Sequence, residues 1–181
     1  MFRALLATTL ILAAGALTAQ AADFKLTSKT IAEGAPLSAA QVFEGFGCTG
    51  GNLSPDLSWT GAPEGTKSFA ITAYDPDAPT GSGWWHWNVV NIPAATATLA
   101  AGASHTDAMP KGALELVSDY GAVGFGGACP PPGEVHRYIF TVHALKTDKL
   151  DIPANASNAL AGYMINANAL AKASITAVFK R

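Results

Sequence analysis

Asp75-Pro76-Asp77-Ala78-Pro79, then Trp84-Trp85-His86-Trp87, then His136-Arg137-Tyr138 set two carboxylates, two imidazoles and a phenol on a backbone punctuated by proline and glycine. Imidazoles give oxyanions charge-assisted hydrogen bonds, which are among the stronger kinds. A neighbouring carboxylate such as Asp75 orients one ring and favours its protonated form. Carboxylates also repel anions, and a site that sought phosphate alone would use Arg or Lys, so the mixture suits a phosphomonoester or a zwitterion better. Trp84, Trp85 and Trp87 add rings for stacking or for holding an ammonium by cation–π contact. The same residues also read as catalytic groups. His86 or His136 would be a general acid or base oriented by Asp75, or the three would hold a metal ion with one open coordination position. No Ser, Thr or Cys stands at a recognisable elbow or triad spacing, so a hydrolase lacks its nucleophile. The plainest alternatives are that Asp75 and Asp77 cap turn amides, that Trp87 is core and that His143 is structural.

These groups need strands to aim them. Phe24–Lys29, Lys67–Tyr74, Trp85–Ile92, Arg137–Leu145 and Ala173–Lys180 are short, rich in β-branched or aromatic residues and bounded by Gly, Pro, Asn or Asp. Strict alternation puts His136, Tyr138, Phe140 and Val142 on one face of their strand and Ile139, Thr141 and His143 on the other. It likewise sends His86, Asn88 and Val90 one way and Trp85, Trp87 and Val89 the other. Leu160, Met164, Ala167 and Ala171 recur at helical spacing behind Pro153, which predicts a helix over 155–171. The Gly- and Pro-rich stretches 46–55, 75–83 and 121–133 are loops of the kind that carry function.

The chain of 181 residues carries a net charge of -2 on few charged groups, so it lacks the basic footprint of a nucleic-acid binder. Arg3, the apolar run 4–17 and Ala19-Gln20-Ala21 read as an export signal cleaved after Ala21. That run falls short of the roughly 20 residues a membrane span needs, so the expectation is an exported chain with no integral membrane span. Residues 22–181 suffice for a single domain. Cys48 and Cys129 are the only cysteines, and in an oxidising compartment an isolated pair reads as a disulfide.

Taken in order, Gly50-Gly51-Asn52-Leu53-Ser54-Pro55, the 75–79 run, Trp85-His86-Trp87, Gly126-Gly127-Ala128-Cys129-Pro130-Pro131 and His136-Arg137-Tyr138 resemble the phosphatidylethanolamine-binding protein family, in its bacterial Raf-kinase-inhibitor-like branch. The resemblance spans about residues 24–179. It implies a mostly β fold: a large central antiparallel sheet packed on a smaller sheet, with peripheral helices. It also implies an anion pocket where the loops converge, built from Asp75, His86, His136 and Tyr138 with the Gly127 N–H; Trp84, read from the residues as an aromatic rim, and Asp77 complete the expected ligand-binding set. A cis bond at Ala78–Pro79 belongs to the same expectation. Two departures stand out. The third loop reads Gly124-Phe125-Gly126-Gly127-Ala128, without the family's tyrosine and proline. The C-terminal helix has Asn166 and Asn168 where a histidine is common.

The expected function is a non-enzymatic binding protein holding a small phosphorylated or other anionic ligand, without metal or cofactor. Family members inhibit kinases or proteases, which implies a regulated protein partner, and bacterial members are often homodimers. The alternatives are the His/Asp or metal-assisted hydrolase, acting on a phosphorylated or ester substrate, and a surface-mediated interaction protein with a vestigial pocket.

Overall fold

The computed structural model describes residues 23–181; the leader read in residues 1–21 lies outside them. In chain order the strands are β1 (Lys25–Thr27), β2 (Glu44–Gly45), β3 (Cys48–Thr49), β4 (Leu57–Thr60), β5 (Ser68–Asp75), β6 (Trp84–Pro93), β7 (Thr98–Leu99), β8 (Leu114–Glu115) and β9 (Val135–Leu145). Helix α1 (Asn158–Asn168) and strand β10 (Ala169–Lys180) complete the chain. An antiparallel sheet in the order β10-β9-β5-β6-β8 forms the centre, and a three-stranded sheet β1-β4-β7 packs on it. The fold is mostly β, as expected. No helix of the described residues is long and apolar enough to cross a membrane.

Between the two sheets lies a core of Leu57, Trp59, Phe69, Ile71, Trp87, Val89, Phe140, Val142 and Ile175. The opposite face of the central sheet carries a second cluster, in which Ala70, Val90 and Leu145 meet Ala161 and Ile165 of α1. The central strands are thus covered on both faces, which explains why β5 and β6 read as nearly continuous apolar runs rather than clean alternation.

Three expectations need correction. Helix α1 starts later and ends earlier than 155–171. Ser157 caps it by accepting a hydrogen bond from the Leu160 N–H, and the chain passes directly into β10 at Ala169. Pairing of 169–172 with β9 overrides the weak strand propensity of Ala-Leu-Ala-Lys. The buried stripe of α1 is Asn158, Ala161 and Ile165, while Leu160 is exposed. Its rotation follows from Asn158, which accepts from the Asn88 amide on β6 and donates to Asp119 at 2.6 Å.

The third correction decides the site. Ala73 pairs with Trp87 but Tyr74 pairs with Trp85, so His86 is an extra residue in β6, a β-bulge. Downstream of the bulge, Val89 faces the inter-sheet core and Val90 faces α1. At the bulge the alternation breaks. His86 joins Trp87 on the core side, and Trp85 turns to the helix side beside Tyr74. Without the bulge, His86 would point away from Tyr138.

Candidate functional site

Three strand ends meet at one edge of the central sheet: the close of β5 at Asp75, the start of β6 at Trp84 and the start of β9 at Val135. Around them a cavity of about 250 Å³ is lined by Asp75, Trp84, His86, His136 and Tyr138 from the strands. Its loop wall consists of Phe46, Ala78, Pro79, Thr80, Tyr120, Cys129, Pro130 and Pro131. Five of the seven expected site residues therefore line one cavity, and Asp75, His86, His136 and Tyr138 are each 3% exposed or less.

Asp75 both caps a turn and orients a ring. Its Oδ1 accepts the Asp77 and Ala78 amides at 2.8 and 3.1 Å, and its Oδ2 takes the His136 Nδ1–H at 2.7 Å. These two amides close the turn with Ala78–Pro79 trans, as every peptide bond is among the described residues, contrary to the cis expectation.

His136 Nε2 lies 2.8 Å from the Glu134 carboxylate, a half-exposed side chain two residues upstream. Burial opposes protonation of His136, but the hydrogen bonds to Glu134 and Asp75, with both negative charges, outweigh it and raise its pKa above the ordinary imidazole value. Each ring nitrogen faces a carboxylate, which only accepts, so the geometry holds His136 as an imidazolium with both N–H groups taken. Glu134 carried no motif in the sequence; only the i, i+2 same-face spacing to His136 on a strand start pointed to it.

His86 is the converse case. Its Nδ1 sits 2.8 Å from the Gly126 carbonyl, which can only accept, so the proton is on Nδ1. Burial pushes its pKa down, against the pull of that carbonyl and of Asp75. Neutral His86 thus leaves Nε2 as a bare lone pair. Six buried side-chain polar atoms lack a partner among the described residues, and three of them, Trp84 Nε1, His86 Nε2 and Tyr138 Oη, belong to this cavity. Burial raises the Tyr138 and Tyr120 pKa values, so both phenols keep their protons.

The third loop recovers the hydroxyl that Phe125 lacks, because Tyr120 lines the cavity and donates to the Gly127 carbonyl at 2.9 Å. Its ring stacks on Phe43 at 3.9 Å and stands edge-on to Trp84 and His86. Tyr120 escaped the sequence reading because it lies one residue before the glycine-rich stretch.

Gly127 and Asp77 do not line the cavity. The Gly127 N–H donates to Asn52 Oδ1 at 2.7 Å, and a Cβ there would collide with the backbone of Gln41 and Val42, so close packing accounts for the glycine. Asp77 accepts three bonds from Arg137, from N, Nε and Nη2 at 2.7–2.9 Å, which hold its carboxyl down at about 2. Of the tryptophans only Trp84 reaches the cavity. Trp87 is core, with its indole N–H on Glu115. No residue of α1 lines the cavity either, so Asn166 and Asn168 lie outside it.

Chemically, the cavity offers a fixed imidazolium, two free donors and one lone pair. Its one aliphatic hydroxyl and its sulfur are committed elsewhere: Thr80 donates to the Gly83 carbonyl and Cys129 is bonded to Cys48. Of the three residues the metal alternative would use, Asp75 and His136 are bonded to each other, while His86 keeps its Nε2 lone pair in the cavity.

The phosphatidylethanolamine-binding protein family model matches residues 27–180. The chain is 57% identical over 165 residues to the UPF0098 protein YbcL of Escherichia coli (strain K12), covering 90% of each. It is 53% identical over 156 residues to YbhB of the same strain, covering 86% of this chain and 99% of that one. The crystal structure of E. coli YbcL, described as a new member of the mammalian PEBP family, aligns with a TM-score of 0.86 at 56% identity over 88% of this chain and 99% of the other. With the ordered motifs, the two-sheet fold and a match over almost all described residues in agreement, the chain belongs to the phosphatidylethanolamine-binding protein family.

Proposed function

We propose that the chain is an exported, non-enzymatic binding protein whose cavity takes a small oxyanion headgroup of the phosphomonoester type. One observation carries this reading: Trp84 Nε1–H, Tyr138 O–H and His86 Nε2 are buried without partners around a single cavity. Buried polar groups left unpaired are costly, about 1–3 kcal/mol each, and a tetrahedral oxyanion presents several acceptors at once. The third group adds a requirement. A bare Nε2 lone pair repels an oxyanion unless a proton lies between them, so binding needs one proton there, either already carried by the ligand or taken up by His86. Thr80 and Cys129, the aliphatic hydroxyl and the sulfur on the wall, are both engaged, which supports binding over cleavage.

Calorimetric titration with inorganic phosphate, phosphoethanolamine and phosphotyrosine tests the reading. Wild type is expected to bind saturably, and Tyr138→Phe and His86→Ala each to weaken binding by about tenfold or more, the worth of a hydrogen bond to a charged group. Absence of heat with all three ligands from folded protein would overturn it. Sulfate stays fully charged across the neutral range, so its affinity is expected to fall as pH rises, because the proton then has to come onto His86.

Glu134 holds the His136 N–H that an incoming anion would use. Glu134→Ala is expected to raise phosphate affinity by about three- to tenfold, by freeing that donor and removing a negative charge from a half-exposed position. Unchanged or weaker binding in the same titration would show that the carboxylate does not compete.

A further inference from the structure

The opposite face of the central sheet holds a second cavity, of about 180 Å³, between β5, β9, β10 and α1. His143 and Lys172 are directly opposite each other on β9 and β10, close enough for their side chains to share one partner. His143 is 7% exposed, and its Nε2 lies 3.2 Å from the Thr72 hydroxyl. That hydroxyl has no other partner among the described residues. Donation from Thr72 to Nε2 satisfies both groups and puts the ring proton on Nδ1, where it finds no acceptor. Lys172 forms no ion pair among the described residues, and no Asp or Glu lines this cavity.

The remaining walls are different in kind. Tyr74 and Trp85 pack with ring centroids 4.4 Å apart, and the bulge at His86 is what turned Trp85 to this side. On the helix wall, a Cβ added to Gly162 would meet nothing within 4 Å. Alanine would favour the helix by about 1 kcal/mol over glycine there, so the open space is not explained by helix stability.

We propose that this cavity is a second binding site, for a small aromatic carboxylate whose oxygens bridge the Lys172 ammonium and the His143 Nδ1–H while its ring lies against Trp85 and Tyr74. A cation and an unpaired N–H with no acid nearby select an anion. The aromatic wall and a volume below the roughly 300 Å³ of drug-sized pockets select a compact ring. Burial, and secondarily the Lys172 charge, hold the His143 pKa down at about 4, so the ring acts as a neutral donor.

Benzoate titrated into ¹⁵N-labelled protein, followed by amide shifts, tests the site. Saturable shifts centred on Gly162, Asn166 and Lys172 are expected. Lys172→Met should weaken binding by about tenfold or more, Gly162→Leu should abolish it by filling the space, and Gly162→Ala, which fills less of it, should weaken it less. His86→Ala should leave these shifts unchanged, which separates this site from the first cavity. Lys172 is exposed, so its variant decides the matter even if Gly162→Leu does not fold. Absence of saturable shifts in this region, equal binding by benzamide, or binding indifferent to Lys172→Met would overturn the proposal.

Discussion

Asp75→Ala is expected to lower the unfolding free energy by about 3 kcal/mol and to eliminate anion binding. The carboxylate is buried and satisfies three donors: the Asp77 and Ala78 amides and His136 Nδ1–H. Removing one partner of a buried pair leaves the other charge uncompensated, which typically costs about 3–5 kcal/mol; the Glu134 carboxylate remaining on His136 Nε2 places the loss at the lower end. Asp75→Asn retains an acceptor for the turn amides but sets its own N–H groups against His136 Nδ1–H, and should recover only the turn's share of the loss. The pH dependence carries a sign. A folded pKa above the unfolded value means that the His136 contribution is fully present below pH about 6.5 and is lost as pH rises through the raised folded value. Guanidinium unfolding at pH 6 and pH 9 should therefore show a larger Asp75→Ala deficit at the lower pH. A deficit under about 1 kcal/mol, or one that does not change with pH, would contradict this account of the pair.

The second large effect is expected at the disulfide. Cys48 and Cys129 join positions 81 residues apart, and in the chain-entropy model a loop of this size restrains the unfolded chain by roughly 4–5 kcal/mol, with less realised in practice. The Cys48→Ala/Cys129→Ala double variant is expected to lose about 3 kcal/mol and to melt roughly 6–12 °C lower. The bond also braces the cavity. Phe46, at φ 52°, sits beside it and lines the pocket with Cys129, and Arg181 clasps the same turn through the Phe46 and Gly47 carbonyls. Phosphate affinity should therefore fall together with stability. Calorimetric melting with and without reductant reads the first effect, and a shift under about 2 °C would refute it.

The sequence made legible what depends on residue type and local period. Each of the five expected strands exists, and His136, Tyr138, Phe140 and Val142 share a face as alternation requires. Asp75, Trp84, His86, His136 and Tyr138 meet because each lies at or near a strand end on the same edge of one sheet. The short strands β2, β3, β4, β7 and β8 were not legible, being two to four residues long and defined by their partners rather than by composition. Nor was the bulge, since an extra residue in β6 shows only against the register of β5.

Hydrogen-bond allocation was the least visible layer. Asn52 takes the Gly127 amide across 75 positions and Arg137 takes Asp77 across 60. Both expected site residues are thereby turned from ligand contacts into braces. Glu134 shows the opposite case, an ordinary loop acid that the turn into β9 brings onto a buried imidazolium.

The most direct test of the central claim is the protonation of His86, read from its imidazole ¹⁵N shifts in long-range ¹H–¹⁵N spectra at neutral pH, with and without saturating sulfate. The free protein is expected to show a neutral ring protonated on Nδ1, converting to a doubly protonated ring with sulfate bound, while His136 stays doubly protonated throughout. A His86 ring already charged without ligand, or one that sulfate leaves unchanged, would contradict the claim that this cavity is an anion site completed by a proton.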